Sequence, residues 1–124
     1  MSTLVWILSL ALAAVFAGSG VAKLTMSRER LIATGQTGIA VYPMPVVRFT
    51  AACEILGAVA LVGPWALGVA RALTPAAAVG LAVVMVGAAF AHTKLREPWS
   101  VAANAVLFAA CVWVAVARLG MLSS

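Results

Sequence analysis

Four long runs of apolar residues alternate with shorter polar connections along the chain. The runs cover residues 4–24, 46–67, 73–92 and 99–118. Each has the ~20 mostly apolar residues that a helix needs to cross a hydrocarbon core of about 30 Å. The strands of a membrane barrel would instead be segments of about 10 residues with alternating polarity. The pattern therefore predicts four transmembrane helices.

Prolines mark where three of these helices begin. Pro45, Pro75 and Pro98 lie next to the start of a run, and a proline in the first turn loses no intrahelical hydrogen bond. Thr74 is the predicted N-cap of the third helix. The connections after the second and third helices are short, so sequential helices are expected to pack antiparallel. We predict an all-α integral membrane protein, an up-down four-helix bundle in which residues 1–124 form one domain.

Composition excludes most other classes of protein. Hydrophobic residues make up 65% of the chain and charged residues 9%, whereas soluble domains carry about 25% charged residues. A disordered chain would be poor in apolar residues. The net charge is +5, but no basic patch is interleaved with exposed aromatic residues, so no nucleic-acid partner is predicted.

Basic residues are divided unequally between the two sides of the predicted bundle. Two of them, Arg71 and Arg118, fall on the side of the chain termini, and the other six fall on the side of the long connection: Lys23, Arg28, Arg30, Arg48, Lys94 and Arg96. Cytoplasmic loops carry the excess of Lys and Arg. We therefore expect the long connection in the cytoplasm and both termini outside.

The few polar residues inside the spans are the candidate functional residues. Ionisable side chains are costly in hydrocarbon and usually face a bundle interior or a cavity. At a rise of about 1.5 Å per residue, Lys23, Glu54, His92 and Asn104 all lie in the cytoplasmic half of the membrane. Each comes from a different predicted helix. Glu54 is the only acidic residue within a span, which makes it the leading candidate for chemistry.

Neighbouring positions on the same helices extend this set. Thr50 lies one turn before Glu54, and Phe108 lies one turn after Asn104. We predict that Glu54 and His92 are catalytic proton partners, since a carboxylate and an imidazole can both exchange protons. The predicted ligand-binding residues are Lys23, Arg48, Thr50, Asn104 and Phe108.

Structural explanations for the same residues stay open. Lys23 and Arg48 could extend to the lipid headgroups, and Glu54 could form a salt bridge that only holds helices together. His92 could be an interfacial residue at a helix end. Asn104 could make an interhelical hydrogen bond, which contributes only ~0.6 kcal/mol on average.

The sequence has no metal-binding pattern. One histidine and two cysteines without CxxC or paired-histidine spacing do not form a zinc site. Cys53 and Cys111 differ in predicted depth by about 8 Å. That offset exceeds the usual Cα separation across a disulfide, about 4.4–6.8 Å, so we predict two free thiols.

The order of the polar residues resembles the DoxX-like family of small bacterial membrane proteins. Gly20-x-x-Lys23 ends the first helix, Glu54-x-x-Gly57 lies in the second, His92 ends the third and Asn104 lies in the fourth. The resemblance covers nearly the whole chain. It implies a multi-pass protein of the bacterial cytoplasmic (inner) membrane. Because relatives include a membrane subunit associated with thiosulfate:quinone oxidoreduction, it also implies a quinone-like ligand.

Two functions remain as alternatives. In the first, an intramembrane polar pocket binds a small apolar or quinone-like molecule from the lipid bilayer, with a redox-linked role. In the second, the chain is a non-catalytic accessory or assembly subunit that docks a membrane-protein partner or a second copy through its ridges of small residues. Whether the chain is an enzyme, and which cofactor it uses, stays open.

Overall fold

The computed structural model describes residues 2–122 and is helical through most of that range. Five α-helices and one 3₁₀ turn follow in the order α1 (Ser2–Thr25), α2 (Arg28–Ala33), the 3₁₀ turn (Thr37–Val41), α3 (Met44–Leu67), α4 (Leu73–Lys94) and α5 (Pro98–Leu122). The helices α1, α3, α4 and α5 are long and apolar enough to cross a membrane. Both termini were predicted to lie on the side opposite the cytoplasm, and they fall outside the described residues.

The four long helices extend past the predicted runs by up to four residues. The largest extension is in α5, which continues beyond Arg118 to Leu122. The fourth predicted run ends at Arg118. In the structure Arg118 is only 1% exposed, so the helix has no reason to end there, and the following residues remain apolar.

Thr74 does not cap α4 as predicted. The N-cap position is Ala72, and the buried Thr74 hydroxyl instead donates a hydrogen bond to the carbonyl of Ala60 in α3, at 2.5 Å. Pro64 lies inside α3 and has no N–H to donate to the residue four positions earlier, which is Ala60. Thr74 therefore supplies the missing donor, because a buried carbonyl without a partner would cost free energy.

The long helices form a closed arrangement around one apolar core. Contacts join α1 to α3, α3 to α4, α4 to α5, and α5 back to α1. Core side chains include Phe16, Leu61, Leu81 and Val114. The outer surface carries exposed apolar side chains such as Leu56, which is 70% exposed. An apolar exterior of this kind fits contact with lipid.

A buried arginine joins three helices at the end of the bundle formed by the start of α1 and the end of α5. The guanidinium carbon of Arg118 lies 4.9 Å from the ring centroid of Trp6 and 4.2 Å from that of Trp65. Cation–π contacts strengthen when the cation is removed from water. Its Nη1 also contacts the sulfur of Met121 at 3.4 Å. The arrangement holds α1, α3 and α5 together at this end.

Candidate functional site

A cavity of about 730 Å³ lies at the other end of the bundle. All four long helices line it, together with residues of the segment 36–42 between α2 and α3, which we call the covering segment. Five of the seven predicted site residues line the cavity: Lys23, Thr50, Glu54, His92 and Asn104. Arg48 and Phe108 are not among its lining residues.

The lining changes from polar to apolar along the helices. Lys23 and His92 lie near the ends of α1 and α4, whereas Phe16 and Met85 lie seven residues earlier on the same helices. Seven residues correspond to about 10 Å of helix. The cavity therefore has a polar end near the covering segment and an apolar region towards the bundle centre.

Glu54 and Lys23 form an ion pair across α1 and α3. The Lys23 Nζ lies 3.2 Å from Glu54 Oε1 and 3.3 Å from Oε2. The Ser19 hydroxyl donates to the same carboxylate at 3.3 Å. The Glu54 side chain is 1% exposed and that of Lys23 is 13% exposed. The ion pair considered for Glu54 is therefore formed with Lys23, and the pair borders the cavity.

The close approach of α1 and α3 depends on Gly20. A Cβ atom at Gly20 would lie 2.7 Å from Ile55 Cγ1 and 2.8 Å from the carbonyl oxygen of Ala51. Both distances are shorter than real Cβ contacts allow. Glycine lets the two backbones come together, which brings Lys23 within reach of Glu54 one turn later.

Arg48 stabilises the end of α1 instead of lining the cavity. Its Nη1 donates to the carbonyl oxygen of Lys23 at 3.3 Å and also to that of Leu24. The last carbonyls of a helix lack intrahelical partners, and a cation there also interacts favourably with the helix dipole. The guanidinium is thus engaged at the helix end, which keeps it away from Glu54.

His92 pairs with a carboxylate outside the long helices. Its Nδ1 lies 2.6 Å from Glu97 Oε1, and the Thr37 hydroxyl donates to the same oxygen at 2.9 Å. The backbone explains this contact. After α4 the chain reverses at Arg96, whose φ is +58°, and the Glu97 N–H donates to the His92 carbonyl at 2.9 Å. This backbone reversal places the Glu97 side chain beside the His92 imidazole.

These hydrogen bonds affect the charge state of Glu97. The hydrogen bond from His92 has the largest effect and the one from Thr37 the next largest. Together they lower the pKa of the Glu97 carboxyl below its ordinary value of 4.5. A carboxylate that accepts hydrogen bonds is stabilised in its ionised form. Glu97 is therefore an anion at neutral pH, and it can only accept hydrogen bonds there.

The covering segment is held in place by several side-chain contacts. Tyr42 donates its hydroxyl proton to the Gly87 carbonyl at 2.7 Å, and Gln36 Nε2 lies 3.4 Å from the Ser19 hydroxyl. Arg28 donates to the carbonyls of Ile39 and Tyr42 at 3.3 and 2.7 Å. Ile39 itself is buried in a small apolar cluster with residues of α2 and α3. This segment thus forms an ordered cover on the polar end of the cavity.

Asn104 lines the cavity with an unsatisfied donor. The residue is 8% exposed, and its Nδ2 has no hydrogen-bond partner within residues 2–122. The interhelical hydrogen bond considered for Asn104 is therefore not formed by this nitrogen. A buried donor without a partner costs about 1–3 kcal/mol, so any acceptor placed beside Asn104 Nδ2 would stabilise the site.

The remaining predicted residues have simpler placements. Thr50 lines the cavity, one turn from Glu54. Phe108 is 39% exposed on α5. Leu107, three residues after Asn104, lines the cavity in its place. Cys53 and Cys111 are both free thiols, as predicted. No cluster of three metal-binding side chains occurs in the described part of the chain.

Part of the cavity wall is open to the surface of the bundle. Val15 and Gly18 of α1 and Val83 of α4 line the cavity and are themselves exposed. Val15 is 48% exposed and Val83 is 64% exposed. These residues lie in helices that are long and apolar enough to cross a membrane, and the two valines make this part of the wall apolar.

Four residues near the polar groups were not found by sequence reasoning: Ser19, Gln36, Tyr42 and Glu97. Ser19 lies one turn before Lys23 on the same helix face, so this spacing could have identified Ser19 as a second polar residue near Glu54. Glu97 was assigned to a connecting loop, and its return to His92 depends on the left-handed backbone at Arg96. Gln36 and Tyr42 belong to the covering segment, which has no periodic pattern of its own.

Comparison with known proteins identifies the family of the chain. No curated protein and no solved structure shows significant similarity to the chain. A family profile described as the DoxX-like family matches residues 7–114. That match includes α1 from its second turn, all of α3 and α4, and most of α5, with every polar residue that lines the cavity. The chain is therefore a multi-pass membrane protein that belongs to the DoxX-like family.

Proposed function

We propose that the cavity binds a small apolar molecule whose polar head group, of quinone-like chemistry, lies among the side chains at the polar end. The observation that carries this proposal is the free Nδ2 donor of Asn104, buried at the cavity wall. A carbonyl oxygen of a bound ligand would satisfy it. The volume of about 730 Å³ falls within the range of about 300–1,000 Å³ typical of small-molecule sites.

The distribution of polar groups favours an amphiphilic ligand over a fully polar one. The head group would meet Lys23, Glu54, His92 and Asn104, and an alkyl tail would extend past Phe16 and Met85. The apolar opening beside Val15 and Gly18 offers a route from the bilayer. A strongly polar solute would gain little from this route, because its hydration would be lost in hydrocarbon.

Glu54 and His92 are proposed to exchange protons with the bound head group. Glu54 is held by Lys23 and Ser19 at the cavity wall, and His92 is connected through Nδ1 to Glu97, which is 32% exposed. Complete reduction of a quinone to a quinol consumes protons together with electrons, so a quinone head group bound here needs access to protons. The His92–Glu97 contact supports access for such protons from the aqueous side.

The proposed location is the bacterial cytoplasmic membrane, with the covering segment in the cytoplasm. Six of the eight basic residues lie at the end of the bundle that carries this segment, which follows the positive-inside rule. Both termini would then lie outside, with the chain as one domain. In this orientation the His92–Glu97 pair lies at the cytoplasmic end of the cavity.

Replacing Asn104 by Leu separates a ligand role from a structural one. In purified protein in detergent, we expect Asn104→Leu to raise the Kd for a decyl-substituted benzoquinone roughly tenfold. A tenfold change corresponds to about 1.4 kcal/mol, the free energy of one lost hydrogen bond. The same change should raise the melting temperature of the unliganded protein, because it removes a buried donor without a partner. Titration calorimetry and thermal unfolding measure the two effects.

The matched control for this variant is Val106→Ala on the same helix. Val106 is 68% exposed and does not line the cavity, so its variant should bind the quinone like the wild type. Unchanged quinone affinity in Asn104→Leu would contradict the proposed binding site. If neither protein binds the quinone and a larger membrane protein copurifies instead, the accessory-subunit alternative is favoured.

A further inference from the structure

One ring nitrogen of His92 has no hydrogen bond within the described chain. Nδ1 is bonded to Glu97, but no contact at hydrogen-bond distance involves Nε2. The nearest part of the covering segment is Gly38, where a Cβ atom would lie 3.1 Å from Nε2 and 3.2 Å from Cε1. Both Gly38 and His92 line the cavity. Glycine thus leaves this edge of the ring uncovered.

The partner of Nδ1 determines what Nε2 can do. Glu97 is ionised at neutral pH and accepts hydrogen bonds, so Nδ1 must carry the hydrogen between them. A neutral imidazole has only one N–H, and the hydrogen bond made by one nitrogen fixes the state of the other. Nε2 of the neutral ring therefore presents a lone pair to the cavity and acts as an acceptor.

The cavity then offers two free groups of opposite kind. Asn104 contributes a donor through Nδ2, and His92 contributes an acceptor through Nε2. The carboxylate of Glu54 and the ammonium of Lys23, by contrast, already bind each other. A carbonyl or an ether oxygen satisfies only Asn104, whereas a hydroxyl group can accept from Asn104 and donate to His92.

We infer that the cavity selects apolar phenols, whose hydroxyl group donates to His92 Nε2 and accepts from Asn104 Nδ2, over carbonyl or ether analogues. Glu97 is a positioning residue in this selection, because it acts only by fixing the hydrogen on Nδ1. The inference rests on the proposed function and specifies the head group of its ligand. For a quinone–quinol pair it identifies the hydroxyl-bearing, reduced form as the one that binds more tightly.

The test compares para-decylphenol with its methyl ether, which has the same tail and lacks the O–H donor. In mildly alkaline buffer, we expect the wild type to bind the phenol about tenfold more tightly than the ether, the value of one added hydrogen bond. Glu97→Gln should reduce this preference to about twofold or less, because a neutral amide can donate to Nδ1 as well as accept from it. Competition against a fluorescent apolar probe measures both affinities.

Three further variants identify the source of any change. Glu29→Gln neutralises an exposed carboxylate in α2, away from the cavity lining, and should keep the full preference. Asn104→Leu should weaken both probes equally, since both oxygens accept its hydrogen bond. Gly38→Ala should weaken the phenol more than the ether, because the added methyl group covers Nε2.

The outcomes separate this inference from the proposed function. Equal affinity of the wild type for phenol and ether would overturn the selection by His92 while leaving an apolar binding cavity in place. A preference that persists at full size in Glu97→Gln would overturn the role of Glu97. Binding of neither probe would overturn both the inference and the proposed function.

Discussion

Replacing Lys23 by Met is expected to lower the free energy of unfolding by about 3–5 kcal/mol, the usual effect of leaving a buried charge without its partner. The Glu54 side chain is 1% exposed and depends on Lys23 for compensation of its charge. Ser19 remains as a donor, but one neutral hydrogen bond does not replace an ammonium group. Unfolding by titration with a denaturing detergent, in mild micelles, measures the change.

The paired substitution shows whether the loss comes from the isolated carboxylate. In the double variant Lys23→Met/Glu54→Leu, both charges are absent, so most of the stability should return. The control is Lys94→Met at the exposed end of α4, where the lysine only contacts the Phe90 ring. That change should cost no more than about 1 kcal/mol. A double variant as unstable as Lys23→Met would contradict the explanation.

Gly20→Ala is expected to destabilise the bundle by about 1–3 kcal/mol, the typical cost of adding atoms to a filled interior. The new methyl group would lie 2.8 Å from the backbone oxygen of Ala51, and a backbone atom cannot move aside alone. The helices α1 and α3 must therefore separate, which also lengthens the Lys23–Glu54 contact. The same detergent titration measures the loss of stability.

Gly18→Ala is the matched control two residues earlier on α1. A Cβ atom at Gly18 has no neighbour within 4 Å. Alanine has the higher helix propensity, by about 1 kcal/mol, so this variant should be as stable as the wild type or slightly more stable. The two substitutions thus have opposite expected signs. Equal stability of both variants would show that α1 and α3 are less closely packed than described.

Most of the helical architecture could be predicted from the sequence because transmembrane helices depend on long apolar runs. The grouping of Lys23, Glu54, His92 and Asn104 followed from helix rise alone, since each residue was predicted to lie in the cytoplasmic half of the membrane. Arg118 shows the limit of this reasoning. The fourth run was predicted to end at Arg118, but α5 continues to Leu122. Trp6 and Trp65 contact the Arg118 guanidinium in a way that no periodic pattern reveals.

The details of the site depend on irregular backbone. Glu97 reaches His92 because the chain reverses at Arg96 with a positive φ, a conformation that few side chains favour. Tyr42 reaches Gly87 from the covering segment, which is fixed by hydrogen bonds distant in sequence. Thr74 was predicted as an N-cap because Pro75 follows it. Its hydroxyl instead donates to the Ala60 carbonyl, which Pro64 leaves without a backbone donor. Such long-range pairings are not encoded in local sequence.

The central claim is that an apolar ligand lies between the helices with its tail towards the bundle centre. Photo-crosslinking with a decyl-substituted benzoquinone that carries a diazirine on its chain tests this claim most directly. We expect labelling of Met85 and Leu107, which line the cavity, and loss of that labelling when unlabelled quinone competes. Labelling confined to lipid-facing residues such as Leu56 and Val106, unaffected by competition, would contradict it.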